Sequence, residues 1–179
     1  MAEYYEMTIA GCKRKLPICS VNEKLDIAGF IMFNDVEITV ESAKALLEKS
    51  PEFDFIITAE CKGIPLAYEM ARQSEKPYIV ARKGKKLYMV EPIDVEVRSI
   101  TTMGVQHLVL DKSDADLMKG KRVLIVDDVV STGESLTAIE TLVNKAGGNI
   151  VGKAFVLAEG DAKDRKDIIY LEPLPLFFK

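Results

Sequence analysis

Histidine and cysteine are scarce in this chain of 179 residues, which has one histidine, His107, and three unevenly spaced cysteines, Cys12, Cys19 and Cys61. That scarcity excludes a Cys/His zinc site and a disulfide framework. It points instead to the reducing cytoplasm, with Cys12 and Cys19 as small buried or half-buried residues. No apolar run approaches the roughly 20 residues that a membrane-spanning helix needs. The opening Met-Ala-Glu-Tyr-Tyr-Glu lacks the basic region and apolar stretch of a signal peptide. Positive charge is not in excess either: 24 Lys and Arg stand against 28 Asp and Glu, a net charge of −4. A general attraction to nucleic acid is therefore not expected. No repeat, low-complexity segment or linker divides the chain, so a single domain over 1–179 is expected.

The composition, 48% hydrophobic and 29% charged, is that of a soluble globular protein. Residues 40–50 have the spacing of an amphipathic helix stopped by Pro51, followed by an apolar strand over 53–58. Helical spacing returns over 63–73, then a short strand over 77–81. A buried strand over 123–126 leads to a helix over 133–146, and Gly147-Gly148 precedes a last core strand over 149–158. This alternation predicts an α/β fold with a parallel sheet covered by helices on both faces. Between 83 and 108 the periodicity fails, which reads as a long loop or irregular hairpin able to act as a lid. The apolar tail, with Pro173 and Pro175, is expected to pack over the first forty residues.

The richest segment is 123–135, Val-Leu-Ile-Val-Asp-Asp-Val-Val-Ser-Thr-Gly-Glu-Ser. A strand runs into two carboxylates, Asp127 and Asp128, at the sheet edge where open α/β sheets bind ligands. The turn 131–135 then presents hydroxyls and backbone N–H groups at a helix N-terminus, a setting that favours phosphate. A phosphate cradle beside acceptor-only carboxylates suits a phosphorylated sugar, whose hydroxyls donate to Asp127 and Asp128. Thr58-Ala-Glu-Cys-Lys-Gly-Ile64 repeats the arrangement as a second anion cradle. Arg82 and Lys83, at another strand end, bring cations to the same edge.

These residues together resemble the type I phosphoribosyltransferases, which bind 5-phosphoribosyl-1-pyrophosphate (PRPP), and are most similar to the adenine enzymes. The resemblance implies the type I phosphoribosyltransferase fold, with a small hood from about 1–39 and 159–179 and a flexible loop over about 84–108. It implies Mg²⁺-dependent transfer of phosphoribose from PRPP to adenine, giving AMP and pyrophosphate in purine salvage. A hypoxanthine or xanthine enzyme, or a PRPP-binding regulator without catalysis, is the alternative. Residue by residue, it assigns Asp127 and Asp128 to catalysis, and Ser131, Thr132, Gly133, Glu134 and Ser135 to the 5′-phosphate. Ala59, Glu60, Cys61, Lys62 and Gly63, with Arg82 and Lys83, are assigned to the pyrophosphate. Phe33 and Asn34, in Ala28-Gly-Phe-Ile-Met-Phe-Asn-Asp35, are assigned to the base, with Phe33 stacking on the purine. Magnesium is expected to be carried by PRPP or pyrophosphate, without dedicated protein ligands, and the partners are PRPP, a purine base and a second copy of the chain.

The chain also departs from the family pattern. Lys62 and Asn34 stand where arginine is usual, and Ser131 stands where the hypoxanthine-guanine enzymes have aspartate. The loop lacks the Glu-Tyr-Gly element of the adenine enzymes, with only Glu91 and Glu96 nearby, so no general acid or base is assigned. His107 reads as a loop or strand-face residue.

Overall fold

The computed structural model describes residues 3–98 and 105–179. The chain opens with an antiparallel meander, β1 (Tyr4–Ile9), β2 (Cys12–Asn22) and β3 (Leu25–Ala28). Helix α1 (Val36–Lys49) begins where the Asp35 carboxylate accepts the N–H of Ile38 at 3.2 Å, a side-chain cap on the first turn. Arg14 of β2 grips the same carboxylate at 2.6 Å, which ties the meander to the helix start.

Next come β4 (Phe55–Ala59), α2 (Ile64–Ser74), β5 (Tyr78–Ala81), β6 (Ile93–Arg98), β7 (Val105–Leu110) and α3 (Lys112–Met118). The chain ends with β8 (Arg122–Val130), α4 (Glu134–Lys145), β9 (Asn149–Glu159), a 3₁₀ turn, β10 (Ile169–Leu174) and β11 (Leu176–Phe178). The main sheet has the order β10-β9-β8-β4-β5, and every neighbouring pair in it is parallel.

Strand alternation explains why this sheet needs helices on both faces. Val123 and Ile125 of β8, with Ile57 and Ile79, meet Leu136, Ile139, Leu142 and Val143 of α4. Leu124 and Val126, with Ile56, meet Ile38 and Leu46 of α1 and Leu66 and Met70 of α2. Each fully buried Leu or Ile contributes roughly 1.5–3 kcal/mol, against roughly 0–1 kcal/mol for an exposed ion pair. The two apolar layers therefore hold the sheet, and the polar groups at its carboxyl edge serve other ends.

Three expectations need correction. The strand expected over 123–126 continues to Val130, because Val129 and Val130 still pair with Leu157 and Ala158 of β9. The stretch expected to be a long loop or irregular hairpin contains a regular antiparallel hairpin, β6–β7. Its period-two pattern (Ile93, Val95 and Val97 against Asp94, Glu96 and Arg98) is short and hidden behind Pro92; residues 99–104 lie outside the described residues. In the tail, β11 pairs with β3 beside the meander, whereas β10 joins the main sheet along β9. Helix α3, which the sequence reading left unassigned, packs Ala115 and Met118 into the core.

Candidate functional site

Strand β8 carries both carboxylates out to the sheet edge. Asp128 is buried, and its Oδ2 accepts a bond from Lys62 Nζ at 2.8 Å. Asp127 is half-buried, and its Oδ1 accepts the backbone N–H of Asp128 at 2.9 Å. Loss of water and the neighbouring Asp128 charge push the Asp127 carboxyl up to about 8, against the pull of that N–H. Burial and the neighbouring charge thus favour the protonated form of Asp127. Lys62 faces the charge on Asp128.

The loop 60–63 lies against these carboxylates because residue 63 has no side chain. A Cβ at Gly63 would sit 2.6 Å from Asp127 Oδ1, so any larger residue would push the loop off the carboxylate. The Glu60–Cys61 peptide is cis. The Glu60 carboxylate turns toward the end of β5, where it accepts the Lys83 N–H at 2.9 Å and Arg82 Nη2 at 3.2 Å. Those bonds hold it below the usual carboxylate range. Arg82 also donates from Nη1 to the Tyr88 hydroxyl at 2.8 Å. This guanidinium, expected to face the pyrophosphate, is thus engaged by Glu60 and Tyr88.

On the other side, Gly133 adopts φ 86°, a left-handed conformation that turns the chain into α4. The first-turn N–H groups of that helix have no carbonyl of their own helix to bond. Arg165 Nη1 stands 2.8 Å from where a Gly133 Cβ would lie. Its Nε and Nη2 are held by Asp167 at 3.0 and 2.7 Å. The Ser131 hydroxyl bonds the Glu159 carboxylate, whose acidity burial weakens while Ser131 and Lys62 act the other way.

A cleft of about 210 Å³ gathers much of the expected set: Ala59, Glu60, Cys61 and Lys62 on one wall, Asp127 and Asp128 on the floor, with Lys83 and Ser135. His107 and Leu108 of β7 complete it. Phe33 and Asn34 are not in this cleft. They line a separate groove of about 290 Å³ with Pro65 and Tyr68 of α2. His107, Glu159 and Arg165 are the residues at the site that the sequence reading did not place. The pairing of Val130 with Ala158 sets Glu159 beside Ser131; its signal in the sequence is its place directly after the core strand expected over 149–158.

Two loops and a carboxylate pair meet at the carboxyl edge of a parallel sheet, the edge at which open α/β proteins bind their ligands. Residues 37–174 match the phosphoribosyl transferase domain, and the chain belongs to that family. A hypoxanthine/guanine phosphoribosyltransferase of Methanothermococcus okinawensis is 32% identical over 136 residues, 76% of this chain and 70% of that protein. An adenine phosphoribosyltransferase of Ureaplasma parvum is 36% identical over 120 residues, 67% of this chain and 66% of the relative. The match to a hypoxanthine/guanine enzyme of Methanococcus voltae, 39% identical over 63% of this chain, spans 56% of that relative's length. Among solved structures, adenine phosphoribosyltransferase from Thermoanaerobacter pseudethanolicus superposes with a TM-score of 0.67 at 23% identity, covering 96% of this chain and 95% of that one. The Saccharomyces cerevisiae enzyme, solved with an imino-altritol bisphosphate and adenine, gives 0.69 at 20% identity over 95% of this chain and 92% of that one. At these identities the structural likeness speaks for the fold.

Proposed function

We propose that this protein is a magnesium-dependent purine phosphoribosyltransferase acting in purine salvage, with adenine as its base. The observation that carries the reading is the Asp127–Asp128 pair set against the 59–63 loop in one cleft. In this reading the turn 131–135 holds the 5′-phosphate, and Asp127 and Asp128 hold the ribose hydroxyls. The loop 59–63 and Lys83 take the pyrophosphate, with Arg82 fixed behind them by Glu60. As the bond to the leaving group stretches, positive charge grows on the ribose, and the adjacent carboxylates stabilise it.

The oxygen donors suit a hard cation. Among the described residues no group of three His, Cys, Asp or Glu side chains could hold a metal ion, so Mg²⁺ would draw most of its oxygens from PRPP and water. When bound, it would neutralise charge on the diphosphate.

Adenine is favoured because Ser131 replaces the aspartate of the hypoxanthine-guanine pattern. The Trypanosoma brucei neighbour, an adenine enzyme at TM-score 0.64 and 18% identity, was crystallised with AMP, pyrophosphate and ribose 5-phosphate. Hypoxanthine is the second reading, because curated relatives carry that specificity too. Incubation with PRPP, Mg²⁺ and a panel of adenine, hypoxanthine, guanine and xanthine is expected to convert adenine fastest. Faster conversion of an oxopurine would move the assignment to the second reading. PRPP binding without any nucleotide formed would replace the enzyme by a regulator.

The groove at Phe33 lies at the start of α2, with Pro65 and Tyr68 in its lining, and shares no lining residue with the carboxylate cleft; in this reading the hood moves toward the cleft when ligand binds. A homodimer is proposed as the active unit, with exposed Ile31, Val36 and Tyr68 supplying apolar surface. Sedimentation is expected to give about twice the 19.9 kDa of one chain; a monomer at micromolar concentration would refute this.

A further inference from the structure

His107 lies where the β6–β7 hairpin crosses the carboxyl edge of the sheet. The bridge between Arg82 and Val109, closed by two N–H···O bonds of 2.8 Å, fastens the hairpin to the end of β5. Leu108 and Leu110 anchor β7 in the core at 4% and 0% exposure. His107, one residue before Leu108, stays 41% exposed and lines the cleft with Lys83, Cys61 and Asp127.

Its Nδ1 lies 2.8 Å from Oδ1 of Asp94 on β6. A carboxylate at that distance holds the proton on Nδ1 and fixes the ring plane, which leaves Nε2 as the nitrogen for a ligand. Lys62 is bonded to Asp128, and Arg82 to Glu60 and Tyr88, which leaves the Lys83 ammonium and the His107 ring, both lining the cleft, to face a departing diphosphate.

We propose that His107, oriented by Asp94, is a catalytic residue that donates from Nε2 to the leaving diphosphate. The proposal rests on the phosphoribosyl-transfer reading of the cleft. As the base nitrogen bonds to the ribose carbon, the carbon–oxygen bond breaks and its electron pair stays on the diphosphate oxygen. The imidazolium proton passes to that diphosphate. The proton displaced from the base nitrogen goes to water, and the imidazole is recharged from water.

The test compares the full-length wild type with His107→Ala, His107→Gln and Asp94→Asn. Calorimetry measures binding of pyrophosphate and, separately, of ribose 5-phosphate, and turnover is measured with the base that the panel identifies. His107→Ala is expected to lower kcat by about 100-fold, in the range for loss of a general acid. It should weaken pyrophosphate about tenfold, as for loss of a charge-assisted hydrogen bond, and leave ribose 5-phosphate within about twofold of wild type. His107→Gln, which keeps a donor without a transferable proton, should recover pyrophosphate binding but not kcat. Asp94→Asn should lower kcat by about tenfold, as expected when only the ring's orientation is relaxed. Unchanged turnover in His107→Ala, or an equal loss of both ligands, overturns the proposal, the latter because it marks a structural role. A wild type that binds pyrophosphate without turnover overturns the catalytic role. Absence of pyrophosphate binding in the wild type would instead defeat the reading of the cleft itself.

Discussion

Asp128→Asn is expected to lower turnover by about 100- to 1,000-fold, comparable to the loss of one preorganised group facing transition-state charge. The side chain is nearly isosteric and remains buried at the end of β8, so the sheet edge keeps its shape. What changes is the charge opposite Lys62. In the unliganded protein Asp128 and Lys62 satisfy each other at 2.8 Å. A ligand bringing its own pyrophosphate would draw Lys62 away and leave Asp128 to the ribose. Asparagine cannot offer a full negative charge to the developing oxocarbenium, whereas binding of PRPP, which rests on backbone and cationic groups, should weaken less than turnover. Stability should change by no more than about 1 kcal/mol, because the Lys62 ammonium is half exposed and water can replace its partner. Steady-state kinetics and urea titrations on the same preparation check both parts. Turnover within threefold of wild type would remove the carboxylate from the mechanism.

The sequence exposed those parts of the site that are contiguous in the chain. Asp127, Asp128 and the turn to Ser135 are successive residues on one strand and helix start, so apolar patterning and turn chemistry locate them. Other contacts depend on where the sheet brings distant strands together. Lys62 reaches Asp128 across 66 positions, and Glu60 reaches Arg82 across 22. The latter pairing is why the expected pyrophosphate arginine is held by a carboxylate. The basic run 82–86 is legible as charge, but charge alone carries no direction.

The sheet was legible for a similar reason. Its central strands are buried on both faces and appear as apolar runs, while β6 is a short alternation of apolar and charged residues directly after Pro92. The place of His107 depends on the regularity of that hairpin. A histidine in an irregular loop has no fixed neighbours, whereas on β7 it has Asp94 beside it and the cleft before it. Phe33 shows the converse: the local resemblance assigns it to the base, whereas packing of the hood on α2 sets it, half exposed, in a groove of its own.

Asp127→Asn is expected to abolish a pH dependence of stability that the wild type carries at its own site. In the folded chain burial and the Asp128 charge raise the Asp127 carboxyl toward about 8, above the ordinary value of 3.8 at which it ionises in the unfolded chain. Between those values the folded state binds more protons than the unfolded state, so this group makes stability fall as pH rises. The ceiling is about 1.4 kcal/mol per pH unit, and partial exposure and sharing of charge with Asp128 reduce it. Glu60, Asp54 and Asp35, which their partners hold at depressed values, act oppositely and lose their contribution as the pH falls below the ordinary carboxylate range. Comparing variant with wild type cancels these shared terms. Asparagine is permanently neutral, and its Oδ1 can still accept the Asp128 N–H. The variant should therefore be more stable than wild type by about 1–3 kcal/mol at pH 8.5 and nearly equal to it at pH 4.5, from the same linkage. Guanidinium unfolding at the two pH values reads the difference directly. Parallel curves would mean that Asp127 is ionised in the unliganded protein and that the two carboxylates do not share a proton. A converging pair would show the site storing an ionisation cost that the ribose hydroxyls, by donating to the charged form, relieve only when ligand binds.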